Sequence, residues 1–271
     1  MLQFKKDLSF RANAQASAVL GFGYDRVFAV ERAVTDAQRE EVFSLRYSVY
    51  CEEFGFLRTD EHSRAMERDS FDEHALHVLL RHRDSERCVG TVRAILPLDG
   101  EPLASFPMHE ICPGGPWSDP AAIPALCEIS RLCILREFRG RRAHHDSHAI
   151  RPSLRRGITA RFNPFAAMGL YRAAFEWVLD TGRLDCVALL DTRLLRSLRA
   201  QGFSCRDVGD TVELNGTRQP VHFDIHTVFA HGERAGAPLY HLLSDGGRLH
   251  DKAVGVKFEL GTQPSAPLVP A

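Results

Sequence analysis

Glu128 is the one carboxylate in the run from Leu126 to Ile134, whose other members are mostly apolar. A carboxylate in such a run loses its water, and burial lifts its pKa toward values at which it can accept a proton near neutral pH. That is the profile of a general base. Arg131 in the same run, or Arg93 in the apolar run beginning Gly90-Thr91-Val92, can pull the pKa back down, so a structural ion pair stands beside the catalytic reading. Ser130 lies two residues past Glu128. It can donate a hydrogen bond to a reacting group or be a satisfied strand hydroxyl.

A second set of charges precedes these. Arg46 sits in the aromatic stretch Arg46-Tyr47-Ser48-Val49-Tyr50, and Asp69 and Asp72 flank Phe71. A guanidinium fits a carboxylate with two parallel hydrogen bonds, so Arg46 or Arg93 can hold an acidic group of a ligand, and Asp69 and Asp72 an ammonium. The alternative is a network of Arg46, Asp69, Asp72 and Arg93 that fastens a helix and a loop over a sheet. Phe71 reads as a core anchor.

The elements that position these residues follow from periodicity. Arg26 to Arg32 reads as a strand. Thr35 and Gln38 make a capping box, and Val42, Leu45 and Val49 recur at helical spacing, so a helix is expected from about Asp36 to Phe54. Arg58 to Ser70 is polar and reads as a loop. Leu76 to His82 and Cys88 to Leu96 read as a hairpin, and prolines at 97, 102, 107, 113, 116, 120 and 124 exclude a long helix or central strand before the strand Leu126 to Leu135. Beyond it, eight arginines between Arg136 and Arg161 make a cationic connection. A helix from Pro164 to Leu179, a strand from Leu184 to Leu190, a helix from Thr192 to Ala200, a hairpin of Val212 to Leu214 with Val221 to Ile225, and a last helix from Ala235 to Leu243 complete the reading. Residues 1–24 are expected to be a loose lead, 25–260 one domain and 261–271 a disordered tail.

In this order, Arg46 with its aromatics, Asp69-x-x-Asp72, Gly90-Thr91-Val92-Arg93 running to Leu96-Pro97, and Glu128-x-Ser130-Arg131 resemble the acyl-homoserine-lactone (autoinducer) synthases and the N-acyl amino acid synthases. Gly202-Phe203 and Gly216 to Pro220 add to the likeness, which spans about Val27 to Ile225. The resemblance implies an α/β (α+β) fold, a GNAT-like α/β sandwich around one mixed central sheet. It implies transfer of a long-chain fatty acyl group from acyl carrier protein to an amine, with Glu128, Ser130 and Arg131 catalytic and Glu128 the base. Backbone N–H groups of Leu132, Cys133 and Ile134 would hold the oxyanion, and Ser130 could protonate a thiolate leaving group. Arg46, Asp69, Asp72 and Arg93 would bind the acceptor.

Departures refine this. Tyr50 and Phe56 stand where lactone synthases typically carry Phe and Trp near the S-adenosylmethionine pocket, which points to an amino-acid-like acceptor instead. The long Pro-rich and Arg-rich connections look like the PEP-CTERM/exosortase system-associated acyltransferases. Arg136 to Arg141 echo the CoA-binding signature only poorly, so acyl carrier protein is the expected donor and partner, docking its acidic surface on Arg139, Arg141 and Arg142. The rival readings are an acyl-homoserine-lactone synthase using S-adenosylmethionine and a non-catalytic acyl-carrier or lipid-binding module.

With 271 residues, 44% hydrophobic and 25% charged, and a net charge of -1, the chain can bury a core and has no overall bias toward nucleic acid. It has no apolar run of membrane-spanning length and no apolar leader behind its first lysines, so a cytoplasmic protein is expected. Seven scattered cysteines without a Cys-x-x-Cys pair read as reduced thiols. No metal and no tightly bound cofactor is expected.

Overall fold

The computed structural model describes residues 23–139, 165–237 and 239–261. In chain order these form β1 (Phe28–Arg32), α1 (Asp36–Tyr47), β2 (Ala75–His82), β3 (Cys88–Ile95), a short α2 (Met108–Ile111), β4 (Leu126–Ile134), α3 (Ala166–Asp180), β5 (Asp185–Asp191) and α4 (Thr192–Ala200). The short strands β6 (Arg206–Asp207) and β7 (Val212–Glu213), then β8 (Thr217–Asp224), α5 (Ile225–Arg234), α6 (Tyr240–Leu243) and α7 (Arg248–Gly261) follow. One sheet runs β1-β2-β3-β4-β5-β8-β6, with β7 also on β8. Its neighbours are antiparallel except β4 and β5, which are parallel. The expected α/β sandwich around one mixed sheet is what the chain forms.

Two irregularities fall on β4. Arg93 pairs with Ser130 and Thr91 with Cys133, so one residue of β3 faces two of β4, a bulge at Arg131 and Leu132. Arg131 takes φ 53° there, in the left-handed region that a non-glycine residue seldom occupies. The second is that β4 pairs with β5 only from Leu126 to Glu128. From Ile129 to Ile134 the edge of β4 facing β5 has no strand partner among the described residues.

Strand alternation gives the sheet two faces. Val78, Leu80, Val92, Ala94, Cys127 and Ile129 point into the large core under α3 and α5 to α7. α3 is apolar around most of its circumference because the sheet covers one side and α6 and α7 another. On the opposite face Val42 and Phe43 of α1 cover Leu79, while Leu45 and Val49 cover Cys133. The Pro-rich segment forms its own small core there, with Phe106, Met108, Cys112, Trp117 and Ile123 packed on Ile95, Leu126 and Val187. Between these two apolar patches lie His77, Arg93, Ser130 and Glu128.

Two expectations change. The lead does not extend to residue 24: Tyr24 is fully buried, residues 23–27 are helical, and the Tyr24 ring lies on α3 with its hydroxyl 3.3 Å from the Ala166 carbonyl. Residues 1–22 and 262–271 lie outside the described residues. A helix spanning Ala235 to Leu243 is not formed; only Tyr240–Leu243 is helical. Instead α5 follows β8 directly, capped by Asp224 and burying Ile225, Val228, Phe229 and Gly232, and α7 buries Leu249, Ala253 and Val256. Both carry the i, i+4, i+7 spacing of a one-sided helix. The seven cysteines are free.

Tyr24 can lie on α3 only because residue 169 is glycine: a Cβ there would stand 1.8 Å from the tyrosine oxygen. We expect Gly169→Ala to lower unfolding free energy by about 1–3 kcal/mol, the range for overpacking a core contact. A denaturant midpoint equal to wild type would show that the ring is not held there.

Candidate active site

α1 starts at the expected capping box, with Gln38 N–H donating to the Thr35 hydroxyl at 3.2 Å, and it buries Arg46 in its last turn. Arg46 donates from Nε to Glu67 and from Nη1 to Asp72 Oδ1 at 2.7 Å. Asp72 Oδ1 also accepts from Arg93 Nη1 at 2.7 Å, and the same Nη1 lies 2.5 Å from Asp69 Oδ1. Arg131 closes the circuit, reaching Asp69 Oδ2 at 3.0 Å and Glu67 Oε1 at 3.2 Å. Arg46, Glu67, Arg131, Asp69, Arg93 and Asp72 thus form a closed ring in which guanidinium and carboxylate alternate. The Asp-x-x-Asp spacing has a local cause too. Asp69 accepts from Phe71 N–H, and Asp72 accepts from Asp69 N–H at 2.8 Å, a capping box for the short helical turn Ser70–His74.

Electrostatics follow from this arrangement. Burial alone would raise the Asp72 and Glu67 carboxyls, but Arg46 with Arg93 outweighs it for Asp72, and Arg46 with Arg131 for Glu67, so both are held below their ordinary values. His77, buried beside Asp72 with Nε2 3.3 Å from its carbonyl, is pushed down to about 4 by burial and is neutral. Of the ring, Arg131 and Asp69 reach solvent most, with side chains 30% and 26% exposed; Arg46 and Arg93 are wholly enclosed. The two arginines expected to hold a ligand carboxylate are therefore already engaged with the protein's own.

Glu128 stands apart from the ring. It occupies the next row of the same face, between Ile95 of β3 and Val187 of β5, under the Pro-rich core. Its Oε2 accepts the Met108 N–H at 3.2 Å, and among the described residues it has no ion pair. Burial raises its pKa to about 7, with Arg93 and the Met108 N–H opposing the shift. The structural ion pair is not formed. Ser130 accepts from Arg93 Nε at 3.2 Å, which places its hydroxyl beside the ring.

The main chain of β4 supplies the other expected groups. Leu135 N–H donates to Val89 O, so by alternation of the antiparallel ladder Cys133 turns its N–H and C=O to β3, whereas Ile134 and the Leu132 carbonyl face the side that β5 has left. Of the three residues expected to hold an oxyanion, Cys133 is thus committed to the sheet. After α1 the chain makes a wider π-helical turn, Ser48–Glu53, from which the Tyr50 hydroxyl donates to Leu132 O at 3.2 Å. Glu53 accepts the Arg136 N–H at 3.1 Å and pairs with Arg139, whose guanidinium lies 4.3 Å from the centre of the Phe54 ring. Arg139 is therefore occupied within the fold, and Arg141 and Arg142 lie outside the described residues.

Sequence reasoning missed Glu67 and His77. Glu67 lies in the polar stretch Arg58 to Ser70, where no periodicity marks one acid from another. His77 carried a signal, since it alternates with Leu79 on the buried side of β2.

Residues 45–146 match the family model described as an acetyltransferase (GNAT) domain. The search of curated proteins finds no match. Among solved structures, FeeM, an N-acyl amino acid synthase from uncultured soil microbes, aligns with a TM-score of 0.51 at 14% identity, covering 75% of this chain and 93% of its own. The acyl-homoserine-lactone synthase LasI gives 0.52 at 15%, covering 73% and 90%, and the CoA-dependent acyl-homoserine-lactone synthase MesI gives 0.52 at 21%, covering 77% and 95%. The fold is the one these synthases share, in agreement with the resemblance carried by the motifs. The domain match and the shared fold support an acyltransferase of the GNAT kind.

Glu67 ties Arg46 and Arg131, so its loss leaves the ring with three positive charges against two negative, and one buried charge uncompensated. Glu67→Gln is expected to cost about 3 kcal/mol of stability at pH 7. Because the Glu67 pKa is depressed in the folded state, this contribution is complete above its ordinary 4.5 and lost as pH falls through the depressed value, so the wild-type advantage should narrow in acid. Urea titrations at pH 7 and pH 4 measure it; equal stability at pH 7 would contradict the ring.

Proposed function

We propose that the protein is an N-acyltransferase that moves a long-chain fatty acyl group from the thioester of acyl carrier protein to the amine of an amino-acid-like acceptor. The observation that carries this reading is Glu128, a carboxyl raised to about 7 in an apolar socket, on the strand whose free edge opens immediately beyond it. An α-amino group is largely protonated at pH 7 and must lose a proton before it can attack. Glu128 takes that proton, directly or through water. The amine nitrogen then bonds to the thioester carbon, and the carbonyl oxygen, gaining the electron pair, is stabilised by backbone N–H groups of the free β4 edge, Ile134 among them. Collapse breaks the carbon–sulfur bond; the nitrogen, cationic after attack, loses its second proton to the departing thiolate, and the proton held by Glu128 passes to solvent.

For the acceptor, the ring geometry favours its exposed pair over its buried members. Asp69 meets the ammonium before deprotonation and Arg131 the carboxylate, while Arg46, Asp72, Glu67 and Arg93 hold that pair in place. Ser130, tied to Arg93, orients the same corner. Arg141 and Arg142 remain the proposed contacts for the acidic carrier, and Arg139, already paired with Glu53, has a lesser share. No helix among the described residues is long and apolar enough to cross a membrane. The fold neighbours include lactone synthases, so lactonisation of S-adenosylmethionine is the reading the test must separate.

Purified protein is assayed with acyl carrier protein thioester and a panel of amino acids, their methyl esters and S-adenosylmethionine, with products identified by mass. We expect an acyl amino acid, a rate rising with pH through about 7 as Glu128 ionises, and loss of roughly 10²-fold in turnover for Glu128→Gln. Methyl esters should be worse substrates than free acids. A lactone with methylthioadenosine would overturn the acceptor, and wild-type turnover by Glu128→Gln would remove the base.

A further inference from the structure

The free edge of β4 is partly capped by a side chain from outside the sheet. Leu132 lies at the bulge, on the stretch of β4 that β5 does not pair, and ladder alternation turns its carbonyl to the open side. That carbonyl is where the Tyr50 hydroxyl donates, at 3.2 Å.

An unpaired strand edge takes up an extended amide-bearing chain through main-chain hydrogen bonds. The pantetheine arm of an acyl thioester has two amides in series and is a chain of this type. Laid along β4 so that its thioester reaches the edge beyond Glu128, it would place an amide N–H against the Leu132 carbonyl. In the free protein the Tyr50 hydroxyl already donates to that acceptor from the open side. We propose that Tyr50 is a donor-side gate, whose hydroxyl satisfies the Leu132 carbonyl until a pantetheine amide of the incoming thioester replaces it. This inference rests on the acyl-thioester reading given above.

Three further features fit a cap that comes and goes. The bond is long for an O–H···O contact, whose usual distance is about 2.7–2.8 Å, so it is weak and exchangeable. Tyr50 is half-buried, and its main chain is anchored independently, its carbonyl accepting the Phe56 N–H at 2.7 Å; the ring can therefore move without unravelling the turn. Burial also pushes the phenol well above its ordinary range, so it remains a neutral donor at physiological pH. Tyr50 touches the donor's binding group and not the reacting atoms, so it sets donor affinity while Glu128 sets the chemistry.

Tyr50→Phe keeps the ring and removes only the hydroxyl. The full-length protein and this variant are compared by calorimetry with S-acylpantetheine and by thermal melting with and without it. Without ligand the variant should melt lower, because the Leu132 carbonyl loses its donor. With ligand that carbonyl is satisfied in both proteins, so the variant should bind S-acylpantetheine roughly three- to tenfold more tightly, the scale of one hydrogen bond, and saturation should close the melting gap. A purely structural hydroxyl would lower the melting point with the gap unchanged by ligand. Unchanged or weaker binding by the variant overturns the gate. If wild type binds neither S-acylpantetheine nor acyl carrier protein thioester, the acyl-thioester reading falls and the gate with it. An independent check on wild type is the NMR signal of isotopically labelled Tyr50, which should shift on adding S-acylpantetheine; no shift at saturation also overturns the gate.

Discussion

Three guanidinium groups and three carboxylates alternating in a closed, largely buried ring set the geometry of this molecule. Taking charges out of water costs several kcal/mol each, and a pair recovers this only when its geometry is good and its remaining hydrogen bonds are met. The ring meets that condition by sharing. Asp72 takes one hydrogen bond each from Arg46 and Arg93, Glu67 spans Arg46 and Arg131, and Asp69 spans Arg93 and Arg131. Its members come from the end of α1, the segment 67–72, β3 and β4, so these four elements can move little relative to one another without uncovering a buried charge. Arg131 enters the ring from a bulged, left-handed position, a conformation that costs of order 1 kcal/mol or more and persists where surrounding contacts over-determine it. The ring supplies those contacts.

Its neutrality matters as much as its rigidity. With equal numbers of opposite charges, the ring presents little net positive field to Glu128 in the next row, which is why Arg93 only partly offsets the burial that raises this carboxyl. The Pro-rich segment does the other half, packing Phe106, Met108, Cys112 and Trp117 over the end of β3 and β4 and leaving one backbone N–H on Glu128. A rigid polar block and a dry apolar cap thus meet along β4, at the point where β5 separates from it. Along the edge that results, which has no strand partner among the described residues, main-chain donors and acceptors stand beside a proton-accepting carboxyl.

Much of this was legible in the sequence, for physical reasons that differ by residue. Glu128, Arg93 and Arg131 announced themselves because a charge in an apolar strand must have a partner or a purpose, and strand period 2 put Glu128 and Ser130 on one face. The hairpin of β2 and β3, the capping box at Thr35 and the helix over α3 follow from local pattern alone. Glu67 was not legible, because a ring is a three-dimensional closure and nothing local separates that acid from its polar neighbours. The bulge was hidden too, since it depends on the register between β3 and β4. α5 and α7 carried readable amphipathic spacing; α5 was concealed because Ile225 also suits the end of β8, with Asp224 serving both as last strand residue and as helix cap. Tyr24 lay beyond reach because its anchor, Gly169, is a vacancy on a distant helix.

The account stands on a carboxyl kept largely dry and unpaired beside a self-neutralised ring, and its ionisation can be observed directly. In protein labelled at glutamate side-chain carboxyl carbons, with Glu128→Gln used to assign the signal, the Glu128 resonance should titrate with a midpoint of about 7. A midpoint near the ordinary value of 4.5 would mean that water or an arginine reaches Glu128, and would contradict its role as the base.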